Sequence, residues 1–181
     1  MKWQIVNNFK RKPKLNNPIF IEGLPGIGNV GKVVVDFIID ELKLKNMYEL
    51  FSYTFPHSVF VNDKNLVELP SIEMYYLKRK KAGKSRSSRD LILLTGDIQP
   101  QDEVSCYTFC EEVLNLIEEY NCNEIITLGG IGLQEVPKKP KVYCTANSND
   151  VLNKYKHKMI QDKIYGVVGP IVGVSGLLVG L

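Results

Sequence analysis

IFIEGLPGIGNVGK, residues 19–32, runs from three apolar residues through a glycine- and proline-rich turn into a periodic segment. Ile19 to Ile21 has the length and side chains of a short strand. Beyond the turn, Lys32, Asp36 and Asp40 recur every four residues, and Val30, Val33, Val34, Phe37, Ile38 and Leu42 supply a broad apolar surface. That spacing predicts a helix over residues 30–43, its apolar surface lying on a sheet. In the turn, Gly26 and Gly28 are expected to take unusual backbone angles, Asn29 to cap the helix, and Gly31 to let it approach the sheet closely. Lys32→Ala should then barely matter, whereas Gly28→Val should disrupt the fold.

The alternation continues along the chain. Strand-like segments at 49–53, 58–61, 66–69 and 71–77 read as hairpins, the middle pair joined by the Asn62-Asp63-Lys64 turn. KRKKAGKSRSSRD, residues 78–90, reads as a solvated loop before the strand LILLTGD at 91–97. A helix follows from Glu103 to Tyr120, with Asp102 as N-cap and Val104, Tyr107, Cys110, Val113, Leu114 and Ile117 on one face. EIITLGGIG at 124–132 is a buried strand running into glycines, and Lys138, Lys139, Pro140 and Lys141 form a loop before a strand at 142–145. Asn149 or Asp150 opens a short helix through about Lys158, and GPIVGVSGLLVGL at 169–181 reads as a turn and the start of a tightly packed helix. Strands that stay apolar and alternate with helices argue for a three-layer αβα domain, and the hairpins make its central sheet mixed.

With 44% apolar and 24% charged residues, the 181-residue chain can bury a substantial core, so one domain over 1–181 is expected. A net charge of +3 is too small to demand a nucleic acid or an anionic membrane as partner. The basic density of 78–89 is read as a solvated loop tip rather than a nucleic-acid site. Cys106, Cys110, Cys122 and Cys144 contain no C-x-x-C pair, and His57 and His157 are far apart, which argues against a metal site. Buried thiols are expected at Cys106 and Cys110. The N-terminal segment has no apolar leader and no run is long enough to span a bilayer, so a cytoplasmic, reduced protein is expected.

Three catalytic templates fail on their residues. Gly26, Gly28 and Gly31 spell G-x-G-x-x-G, but Glu22 to Pro25 separate them from the strand, and no acidic residue ends the second strand. Lys32 suits a Walker loop, yet Val33 replaces the magnesium-binding hydroxyl, Pro25 removes a backbone donor, and Glu22 sets a carboxylate where phosphate would sit. Asp36, four residues on, offers Lys32 an ion pair instead. Ser175 in GVSGLL has Leu177 where a nucleophile elbow needs glycine, and both histidines precede it. Asp97, at a strand's carboxyl end, is the best-placed ionisable residue, with loop capping as its simpler role. No cofactor is implied. A small-molecule or nucleotide enzyme would have to use a crevice between the loops at 23–28, 97–100 and 129–132.

Four ordered blocks, IFIEGLPGIGNVGK at 19–32, LILLTGDIQP at 91–100, EIITLGGIG at 124–132 and GPIVGVSGLLVG at 169–180, resemble the proteasome assembly chaperone family, especially its archaeal members. The resemblance covers most of the chain from about residue 17. It implies a three-layer fold similar to that of purine nucleoside phosphorylases, used for binding rather than catalysis, with self-association into homo-oligomers and proteasome α-subunits as partners. By position, Gly23, Pro25, Gly26, Gly28, Asn29 and Gly31 match the family's first loop, Asp97, Gln99 and Pro100 its second block, and Gly129 and Gly130 its third. Chaperones of this family can dock through a C-terminal hydrophobic-Tyr-any tripeptide. This chain ends Val179-Gly180-Leu181 within an expected helix, so it is read as lacking a C-terminal segment.

Overall fold

The computed structural model describes residues 3–79, 89–133, 135, 137–155, 157, 160–161, 166 and 168–181. Most of the basic segment 78–90, and Lys158, lie outside them. In chain order the elements are β1 (Gln4–Asn7), β2 (Ile19–Glu22), a 3-10 turn (Ile27–Asn29), α1 (Val30–Leu42) and β3 (Lys45–Phe51). Then come β4 (Phe60–Val61), β5 (Val67–Glu68), β6 (Ile72–Leu77), β7 (Leu91–Gly96) and α2 (Glu103–Glu118). β8 (Ile125–Thr127), β9 (Val142–Tyr143), α3 (Asn149–Tyr155), β10 (Ile160–Gln161) and α4 (Val174–Gly180) complete the described chain.

Six strands form one mixed sheet in the order β1-β3-β6-β7-β2-β8. β2 runs parallel to both β7 and β8, whereas β1, β3, β6 and β7 join antiparallel. β4 and β5 make the small hairpin expected around Asn62-Asp63-Lys64, outside the main sheet. Asn62 holds this turn, its Oδ1 accepting from the Lys64 and Leu66 N–H groups at 2.9 and 3.0 Å.

Successive residues of a strand point to opposite faces, which places the helices. Leu94 joins Phe20, Ile72, Met74 and Ile92 in a core with Phe109, Cys110 and Val113 of α2 and Val174 and Leu178 of α4. Its neighbour Thr95 donates to Asp36 of α1 at 2.6 Å. α1 therefore lies on one face of the sheet, with α2 and α4 on the other. Trp3, ahead of β1, closes this core by packing on Phe109 with ring centroids 4.8 Å apart.

Both long helices correct the expected faces. On α2 the Asp102 side chain caps the Ser105 N–H at 2.9 Å, and Cys106, Phe109, Cys110, Val113 and Ile117 are buried. Val104 and Tyr107, expected on that face, are exposed because Phe109 and Cys106 take the places against the sheet. On α1 the reversal is larger. Only Gly31 and Val35 are buried, while Val30, Val33, Val34, Phe37 and Leu42 are exposed, Phe37 at 63%. The glycine that must touch the sheet and the Asp36–Thr95 bond fix the helix's rotation, and the apolar stripe is carried outward.

The α2 packing is checked by paired substitutions. Phe109→Ala should cost about 3–5 kcal/mol in denaturant unfolding, and Tyr107→Ala under about 1 kcal/mol; equal losses would contradict the face described.

Candidate functional site

The loops after β2, β7 and β8 meet at one end of the sheet, as the chain's three glycine-bearing blocks require. Gly23 sits against the Gly31 backbone, Gly31 against the Leu128 carbonyl, and Gly130 against the Ile27 carbonyl, each so closely that a Cβ would overlap the facing oxygen. Gly23, Gly31 and Gly130 are thus brought together by backbone packing. Gly28 has φ +64° but open space around it, so a substitution there is strained rather than blocked. Gly26 is extended, with φ −156°, not in an unusual conformation. Asn29 occupies the N-cap position with φ 51° and makes no side-chain cap bond, because its left-handed backbone turns it away from that role. Gly129 has open space at its Cα.

Gln99 links these loops to the C-terminal helix. Its Nε2 donates to the Pro25 carbonyl at 2.7 Å, and its Oε1 accepts from the Val174 N–H at 3.4 Å. Pro100 is buried, and its carbonyl accepts from Cys106 Sγ at 3.2 Å. Asp97 stands apart from this cluster. It grips the start of β6, accepting from the Ser71 N–H at 3.1 Å while its own N–H donates to the Ser71 carbonyl at 2.9 Å. The partner precedes it in sequence, so Asp97 does not cap the following loop as expected.

Sequence reasoning missed the role of Glu22. This carboxyl is fully buried at the end of β2, accepting from the Leu24 N–H at 2.8 Å and from the Ser175 hydroxyl at 2.9 Å. Burial pushes its pKa up to about 7, against the smaller opposing effect of the two hydrogen bonds. One acid ending the otherwise apolar strand IFIE was the available signal. Burial likewise pushes the Cys110 thiol up to about 12, so it is a packed, inert group.

Phosphate needs convergent N–H groups. Here the space above Gly31 and Gly130 is filled by carbonyl oxygens, which present the wrong charge. A cavity of about 360 Å³ does open beside α1, lined by Lys32, Asp36, Asp40, Glu68, Glu73 and Asp97 among others. Lys32 is already 3.0 Å from Asp36, and the remaining carboxylates make this cavity unfavourable for anions. A second, largely apolar cavity of about 470 Å³ lies between Phe51, Phe55, Pro56, Val59 and Leu69. It neighbours the β4–β5 hairpin, whose Phe60, Val61 and Val67 are exposed. Among the described residues no His, Cys, Asp and Glu cluster suits a metal, and no helix is long and apolar enough to cross a membrane.

Fold and site thus define a mixed α/β protein whose strand-end loops are packed shut around a buried carboxyl and whose large apolar side chains lie partly on the surface. The chain belongs to the PAC2 family, whose model matches residues 20–181. It is 33% identical over 174 residues to an uncharacterised protein of Methanocaldococcus jannaschii, covering 96% of this chain and 64% of that relative's length. Among solved structures it is similar to Pyrococcus furiosus PbaB, described as an archaeal proteasome activator: TM-score 0.84, 35% identity, 98% of this chain and 73% of PbaB. Pyrococcus furiosus PbaA, described as an archaeal homolog of proteasome-assembly chaperone, shares the fold at TM-score 0.69 and 22% identity, over 98% of this chain and 69% of PbaA.

Two substitutions test the loop packing. Gly31→Ala forces α1 from the Leu128 carbonyl and should cost about 1–3 kcal/mol despite the better helix propensity of alanine. Lys32→Ala removes a partly exposed ion pair and should cost at most about 1 kcal/mol, both losses being read from urea titration. For Glu22 the sign follows from its raised pKa. From about pH 4.5 to 7 the unfolded chain releases the proton while the folded protein keeps it, so stability falls as pH rises through that window. The fall should reach about 3 kcal/mol. Glu22→Gln keeps both hydrogen bonds and should flatten the profile of unfolding free energy against pH; an unchanged slope would show that Glu22 is not its source.

Proposed function

We propose that this protein is a non-enzymatic, homo-oligomeric chaperone or adaptor that binds proteasome α-subunits and assists proteasome assembly in the cytoplasm. The observation that carries the reading is the similarity to PbaB across 98% of the chain at 35% identity. The surface supports it: Phe60, Val61, Leu66 and Val67 around the hairpin are apolar and exposed, as a protein-binding surface requires. The strand-end loops favour binding over catalysis, because Ser175 is held by a buried carboxyl and Asp97 by Ser71. Helices on both faces of a mixed sheet also support the comparison with purine nucleoside phosphorylases at the level of architecture.

Pull-down and surface plasmon resonance against purified cognate proteasome α-subunits test the reading. A complex at micromolar concentrations is the expected result. Its absence with folded protein would remove the α-subunit assignment and leave the family membership intact.

A further inference from the structure

We propose that two copies of this chain pair through α1, antiparallel, about a two-fold axis beside Val34. The proposal rests on the homo-oligomeric reading above and names its surface. The outward side of α1 carries Val30, Val33, Val34 and Phe37 in its first turns and Asp40 and Glu41 near its end, all exposed. Val33 and Phe37 are 61% and 63% exposed, an arrangement that a soluble helix ordinarily avoids by turning its apolar stripe inward. The helix has no freedom to turn, since Gly31 and Asp36 hold its other side to the sheet.

The charges on α1 point to a second copy as the occupant. A helix favours acids at its N-terminus and bases at its C-terminus, because of its dipole. α1 has no acid in its first turn, no base in its last, and no side-chain cap at Asn29, while Asp40 and Glu41 sit near its negative end. Antiparallel pairing reverses both mismatches. With Val34 against its own copy, Val30 meets Phe37, and Glu41 reaches the partner helix's uncapped N-terminal turn. Two-fold symmetry repeats each contact, so the surface is complementary to itself, as an isologous interface must be. Lys32 and Asp36 lie on the sheet side and stay out of the seam.

Sedimentation equilibrium of the full chain should give an even-numbered assembly at micromolar concentration. Combining Val33→Glu with Phe37→Glu should at least halve the mass while leaving the circular dichroism spectrum and cooperative melting in place. Val34→Cys should form a disulfide-linked dimer under mild oxidation well beyond the wild-type background, a readout that survives if the double variant fails to fold. A monomeric or odd-numbered wild type, an assembly unaffected by the double variant, or no added cross-linking would overturn the pairing. If the wild type is monomeric and α1 instead captures α-subunits, the pairing fails and the α-subunit reading stands. Self-association through another face removes only the role of α1.

Discussion

The backbone contact between Gly31 and the Leu128 carbonyl sets the position of α1, and much else depends on it. A helix this close to a strand end has only hydrogen in the interface, so nothing larger than glycine is tolerated. The contact fixes the rotation of α1, puts Asp36 within reach of Thr95, and leaves Val33 and Phe37 in solvent. It also occupies the volume that a nucleotide loop keeps open. The same glycines that imitate phosphate motifs in sequence therefore serve close packing in the folded chain.

A small polar core supplements this contact. Glu22 joins β2 to α4 through Ser175, and Gln99 joins the first loop to the start of α4 through Pro25 and Val174. Hydrogen bonds are directional, so these part-buried links position α4 more narrowly than apolar packing alone. The cost of a buried carboxyl is met by keeping it protonated over part of the physiological range.

Apolar density made β2, β6 and β7 readable, because strands buried in the middle of a sheet need few polar side chains. Asp102 was readable as a cap because its bond to the Ser105 N–H is local. β1 was not readable: Gln4–Asn7 is largely exposed and pairs with Tyr48–Phe51, some forty residues away, so only that partner makes it a strand. β3 begins at Lys45, ahead of the expected Glu49, because pairing with β6 draws polar residues into the ladder. Within the site, glycine spacing marked the segments that meet, but Glu22, Ser175 and Gln99 are joined across up to 153 positions in sequence.

The sequence by itself determined the central strands β2, β6 and β7 and the two long helices, where the glycine turns fall, and, through four ordered blocks, the family. Those are properties of local spacing and composition. Tertiary structure alone decided which side of α1 faces the sheet, since periodicity defines an apolar stripe without saying what lies beneath it. It likewise decided that the glycine loop closes on carbonyl oxygens and that Glu22 is buried, because both depend on atoms brought in from distant strands.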